Sequence, residues 1–110
     1  MKSIIITVAI AASALTGVAH AGSKVSDNQF LQAARCRGLA SSEGLGRLDT
    51  AAIDLMLRTE GQTRTLAVKT SANNKINAAQ AQGDEAEGAK KEKLLAERQD
   101  DCAGWLQGGQ

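Results

Sequence analysis

The sequence predicts a small all-α protein, and three observations support this fold class. The chain contains no proline and is rich in alanine, a composition typical of helices rather than of turn-rich β structure. Two short segments begin with side chains that cap helices and carry apolar residues at helical spacing. A third apolar stripe with helical spacing lies near the end of the chain. We expect two short helices and a long or hinged C-terminal helical segment, clamped by one disulfide.

Residues 1–21 have the pattern of a cleaved secretory signal. Lys2 is followed by an apolar run that ends in the sequence AHA. An uncleaved membrane anchor is the alternative, but the run is shorter than the roughly 20 residues that span a bilayer. No charged stop-transfer cluster follows it. We therefore expect cleavage, no stable membrane insertion afterwards, and a single helical domain from Gly22 to Gln110 that is periplasmic or secreted.

The composition argues against several classes of function. The chain has 13 Lys and Arg against 12 Asp and Glu, with one Phe, one Trp and no Tyr. It therefore lacks the basic excess and the stacking aromatics of nucleic-acid-binding proteins. The only histidine, His20, would leave with the signal, so no imidazole would remain as a base or a metal ligand. We expect no enzymatic activity, no catalytic or metal site and no cofactor.

The first helix is predicted over Asp27 to Arg37. Ser26 and Gln29 have the spacing of a capping box, and Phe30 stands where a hydrophobic staple packs. Gly38 is expected to take the left-handed conformation that ends a helix.

The second helix is predicted over Thr50 to Glu60, after a loop rich in glycine and serine. Asp49 is the expected cap and Gly61 the expected end. Because the helix is apolar across a wide arc, we expect neighbours on more than one side. Its apolar residues are Ile53, Leu55, Met56 and Leu57.

Between residues 63 and 107 the sequence permits one long helix weakened at Gly83 and Gly88, or two helices with a hinge. The interior, around 71–91, offers only Ile76 as a large apolar side chain, so we expect it to be polar and partly mobile. A helical stripe then returns, formed by Leu95, Cys102 and Leu106.

The two cysteines, Cys36 and Cys102, are interpreted as a structural disulfide, since an exported chain with two cysteines usually pairs them. The alternative is a redox-active pair, because arginines on both sides of Cys36 would stabilise a thiolate. The end of a helix at Cys36 and the two aspartates before Cys102 work against it, and a C-x-x-C spacing is missing. Whether the bridge joins residues of one chain or of two is left open.

A bridge would bring the charged neighbours of the cysteines together. We expect Arg35 and Arg37 to approach Asp100 and Asp101.

Trp105 and Met56 are the candidate interaction surface. Trp105 is either a core anchor beside the disulfide or an exposed docking residue, and its position next to Cys102 favours packing.

In outline, the chain resembles the small acid-stress chaperones of the bacterial periplasm, which are also short, helical and bridged by one disulfide. This is a resemblance of profile, and no residue's role follows from it. We expect an exported, non-enzymatic structural or interaction protein of the bacterial envelope, whose partner is another envelope protein. The alternatives are a periplasmic thiol-disulfide (redox) protein that uses Cys36 and Cys102, and a stress chaperone-like holdase. The sequence indicates neither the ligand nor the oligomeric state.

Overall fold

A computed structural model describes residues 25–109, and within that range the secondary structure is helical without strands. This confirms the predicted all-α class. None of the helices in this range is long and apolar enough to span a membrane. The predicted signal sequence, residues 1–21, lies outside the described residues. The helices are α1 (Asp27–Ala40), α2 (Ala51–Gly61), α3 (Leu66–Glu85), α4 (Gly88–Asp100) and α5 (Ala103–Leu106).

Helix α1 begins as predicted but ends later. The Oγ of Ser26 accepts a hydrogen bond from the Gln29 amide at 3.1 Å, and the Gln29 side chain accepts one from the Ser26 amide at 2.9 Å. The predicted end at Arg37 is wrong, because the helix continues to Ala40 and Gly38 does not have a positive φ. Gly38 is needed for close packing instead: a Cβ there would overlap the carbonyl oxygen of Ile76 on α3.

Helices α1 and α3 pack closely along each other, because small residues line their contact. The segment 71–91 thus belongs mostly to α3, and its buried contacts come from small side chains rather than large ones. The buried small residues are Ala33, Ala34, Gly38 and Ala40 on α1, and Ala72, Ala79 and Gly83 on α3, of which Gly83 faces Ser42 and Leu45 in the loop after α1.

Helix α2 begins and ends one residue later than predicted. Its N-cap residue is Thr50, while the carboxylate of Asp49 accepts a hydrogen bond from the Ala51 amide at 2.9 Å. Ile53 is fully buried, but Leu55 is 59% exposed. The expectation that neighbours cover α2 on more than one side is therefore wrong at Leu55.

The C-terminal half is broken at Ala86 and Glu87, so the prediction of one continuous helix is wrong and that of a hinge is nearer. Gly83 does not interrupt α3; it is buried there, and a Cβ at this position would lie 2.6 Å from the Cβ of Ser42. Gly88 begins α4 with a φ of 57°, a conformation that glycine adopts readily.

The loop between α1 and α2 is held to the later helices by side chains. The guanidinium of Arg98 on α4 donates to the carbonyl oxygens of Leu45 and Gly46 at 2.9 and 2.6 Å. The buried Ser42 hydroxyl donates to the carboxylate of Asp84 at 2.8 Å. Three loop positions, Ser42, Leu45 and Gly46, are thereby fixed against α3 and α4.

The Sγ atoms of Cys36 and Cys102 lie 2.10 Å apart, at disulfide distance within one chain. The pair joins α1 to Cys102 in the two-residue link between α4 and α5, inside the main hydrophobic cluster. The expected pairing of the flanking charges is wrong: Arg35 pairs with Glu97 at 2.6 Å and Arg37 with Asp54 at 2.7 Å. The buried cluster consists of Ala33, Cys36, Leu39, Leu45, Ile53, Met56, Ala79, Leu94 and Cys102.

Candidate functional site

Helices α2 and α3 each pack against α1 and leave a groove between them, which we call the α2–α3 groove. The ring of Phe30 on α1 lies at its base and is buried, with 3% of the residue exposed. The groove has a volume of about 370 Å³, within the usual range of ligand sites. Its lining residues are Phe30, Leu57, Arg58, Gly61, Gln62, Lys69, Ala72, Asn73 and Ile76.

The base of the groove is held in place by Arg64. Its guanidinium carbon lies 5.3 Å from the centroid of the Phe30 ring, a cation–π contact. Arg64 also pairs with Asp27 at 2.8 Å and Glu60 at 3.1 Å, and it donates to the carbonyl oxygen of Val25. Its side chain is only 9% exposed. The start of α1 and the end of α2 are thus joined around the ring that lines the groove.

The two walls follow the helical spacing of four residues. Residues four apart share a helix face, so each wall presents its lining residues in pairs with this spacing. On each helix, one such pair is apolar and at least half-buried, and a second pair is polar and exposed. The groove therefore has an apolar interior and a polar rim. The apolar pairs are Leu57 with Gly61 and Ala72 with Ile76; the polar pairs are Arg58 with Gln62 and Lys69 with Asn73.

The rim carries one cation on each side. Arg58 and Lys69 are exposed, and neither forms an ion pair with any residue between 25 and 109. The acids of α2 on either side of Arg58 have other partners: Asp54 pairs with Arg37 at 2.7 Å, and Glu60 with Arg64 at 3.1 Å. None of the described residues that line the groove is acidic. The rim is therefore positively charged.

Gly61 lines the groove beside the buried Phe30 ring and, having no side chain, does not fill it. A Cβ at Gly61 would lie 3.6 and 4.0 Å from the Cζ and Cε2 atoms of the ring, which is ordinary van der Waals contact. The backbone of Gly61 does not have a positive φ. The backbone at position 61 would therefore accept a larger side chain, and that side chain would occupy part of the groove.

The predicted interaction residues, Met56 and Trp105, lie near each other but outside the α2–α3 groove. Met56 is 9% exposed and Trp105 is half-buried. A Cβ at Gly109 would lie 3.6 Å from an atom of each. A binding role for Met56 and Trp105 stays a prediction. Met56 also lines a second, shallower surface, the α2–α5 face, which consists of Ala52, Leu55, Met56, Thr59, Glu60, Gln107 and Gly108.

The cysteine pair is closed to solvent. Cys36 is 1% exposed and Cys102 is 0% exposed. Thiol–disulfide exchange requires an attacking thiolate to reach one of the two sulfurs, so burial slows the reaction. This arrangement suits a structural bridge.

No metal centre is evident from residue 25 to residue 109, since that range contains no group of three or more His, Cys, Asp or Glu side chains that could hold an ion.

The fold and the site together define a small, disulfide-bridged helical protein with an apolar groove and a cationic rim. Comparison of the chain with protein families, with curated proteins and with solved structures finds no match.

Sequence reasoning missed the groove. It treated Phe30 as a staple residue and Leu57 as one member of an apolar cluster. Two signals pointed towards the groove: the wide apolar arc of α2, and Lys69, which has no acid three or four residues away in the sequence. Neither signal could show that α2 and α3 flank the same part of α1.

Proposed function

We propose that this protein is an exported, non-enzymatic interaction protein of the bacterial envelope, which binds an apolar segment of a partner protein in the α2–α3 groove. The observation that carries the proposal is the apolar groove between α2 and α3, which is lined by Leu57 and Ile76 and has the buried ring of Phe30 at its base. Grooves between helices commonly bind the apolar face of an amphipathic helix, while a polar rim surrounds the contact. The signal-like residues 1–21 and the cysteine pair support export.

Binding is better supported than catalysis. The range 25–109 contains no histidine, and the residues that line the groove offer no nucleophile paired with a base. The redox alternative is less well supported, because Cys36 and Cys102 are buried. A holdase role stays a prediction, since it depends on opening of the core under stress.

The proposal is tested by filling the groove. The variant Gly61→Leu places a side chain over Phe30 at a position where the backbone accepts one. The matched controls are Leu55→Glu and Leu66→Glu, which change leucines that are 59% and 77% exposed and lie outside the groove. Circular dichroism and urea denaturation check that all three variants fold.

The measurement is quantitative mass spectrometry of proteins that co-purify with each exported variant after cross-linking. We expect a partner that is captured by the natural protein and both controls but lost with Gly61→Leu. Capture that is equal for all variants would contradict the proposal. Loss with Leu55→Glu alone would assign binding to the α2–α5 face instead.

A further inference from the structure

We propose that the segment bound in the α2–α3 groove is acidic as well as apolar: an amphipathic helical segment of a partner protein, with carboxylates on both sides of its apolar stripe. This inference rests on the proposed function and adds the chemistry of the partner. It follows from the charges at the rim and from their positions on opposite walls.

The cations at the rim are available to a partner. Arg58 on α2 and Lys69 on α3 are exposed, and no acid in the described part of the chain lies within ion-pair distance of either. By contrast, Arg35, Arg37 and Arg64 each bind a carboxylate at 2.8 Å or less. The two rim cations thus differ from the cations that hold the fold together.

The local charge at the groove is not that of the whole chain. The whole chain is nearly neutral, with a formal net charge of +1. Among residues 25–109, however, none that lines the groove is acidic, and the nearby acids Asp54, Glu60 and Asp27 are each paired with an arginine. A charged rim around an apolar contact selects partners of complementary charge and speeds their association.

The positions of the polar side chains at the rim are those that an amphipathic helix bound in the groove would need. An amphipathic helix places its apolar residues three and four apart and can carry carboxylates along both edges of that stripe. Its apolar side chains would meet Leu57 and Ile76, which are partly exposed in the walls of the groove. Its carboxylates would meet Arg58 on one side and Lys69 on the other, with amide donors from Gln62 and Asn73 beside them.

The test uses three synthetic helical peptides with identical leucine stripes, flanked by Glu, by Gln or by Lys. Fluorescence anisotropy measures their Kd for the purified protein, for the double variant Arg58→Glu with Lys69→Glu, and for Lys75→Glu. Lys75 is the matched control, because it is exposed on α3 but does not line the groove. We expect the Glu peptide to bind about tenfold more tightly than the Lys peptide, the size expected of two exposed ion pairs.

The preference should reverse in the double variant, persist in Lys75→Glu, and weaken as salt is raised. Gly61→Leu should abolish binding of every peptide. Equal affinity for the three peptides, with loss in Gly61→Leu, would overturn the charge inference and leave the proposed function standing. No binding of any peptide, or binding unchanged by Gly61→Leu, would overturn both.

Two other occupants are distinguished in the same series. Sedimentation of the protein alone would detect a dimer, and a dimer lost with Gly61→Leu would assign the groove to a second copy of the chain. Binding of dodecanoate in the absence of any peptide binding would assign it to a small apolar anion. Either result would overturn the inference of an acidic peptide segment.

Discussion

Gly38 offers a direct test of the close packing between α1 and α3. In Gly38→Ala the new Cβ would overlap the carbonyl oxygen of Ile76, and it would lie 2.8 Å from the Cβ of Ala79 and 3.1 Å from the backbone nitrogen of Gln80. Carbon atoms in contact are normally about 3.5–4.0 Å apart. The crowded atoms belong to the backbone and the Cβ of a helix, so they cannot rotate away, and the two helices must move apart.

The expected loss follows from two opposing effects. Overpacking of this kind costs about 1–3 kcal/mol, while alanine gains about 1 kcal/mol over glycine inside a helix. Because the clash involves backbone, we expect the upper end of the cost and a net loss of about 2 kcal/mol in the free energy of unfolding. Urea denaturation followed by circular dichroism measures it.

The matched control is Gly61→Ala, whose Cβ would meet the Phe30 ring at an ordinary 3.6 Å. It should leave stability unchanged or raise it by up to about 1 kcal/mol. A Gly38→Ala variant as stable as the natural protein would refute the packing argument.

Three further predictions follow from the same contacts. Replacing Cys36 and Cys102 by alanine should lower the free energy of unfolding by roughly 4 kcal/mol, because the bridge spans a separation of 66 residues; a loss below about 1 kcal/mol in urea denaturation would contradict a structural bridge. Hydrogen bonds from the Gly44 amide and the Ser42 hydroxyl hold the pKa of Asp84 below its usual value. The contribution of these bonds to the free energy of unfolding should therefore be present above the usual aspartate pKa, and it should be lost as the pH falls through the lowered pKa of Asp84. Asp84→Asn should remove that part of the pH dependence in urea titrations at several pH values, and an unchanged profile would contradict it. Amide exchange should be slow where α3 faces α1 and fast over 86–91, which comprises the break at Ala86 and Glu87 and the first turn of α4; this stretch is shorter than the mobile segment predicted around 71–91. Fast exchange along all of α3 would show that the small-residue contact is weak.

The local features of the fold were predictable because a few neighbouring residues determine them. Ser26 and Gln29 fix the start of α1 through their own hydrogen bonds, and the bounds of α2 were predicted to within one residue. Gly38 shows where local reasoning fails. A glycine after a basic residue is typical of a helix end, but here the absence of a side chain serves contact with another helix.

The packing of α3 could not be predicted from its large side chains, since it has few. Its buried residues are Ala72, Ala79 and Gly83, and their contribution depends on a partner helix that approaches closely. The groove depends on this same arrangement. It exists because α2 and α3 both pack on α1 near the buried Phe30 and leave space between them, a relation between distant residues that no local pattern carries.

The α2–α3 groove is the proposed binding site of this protein. Chemical-shift perturbation of backbone amides, during titration with the Glu-flanked peptide, tests it residue by residue. The largest shifts are expected at residues that line the groove from both sides: Leu57, Arg58, Gly61 and Gln62 on the α2 side, and Lys69, Ala72, Asn73 and Ile76 on α3. Shifts concentrated at Ala52, Leu55 and Gly108 on the α2–α5 face, or no shifts at saturating peptide, would contradict it.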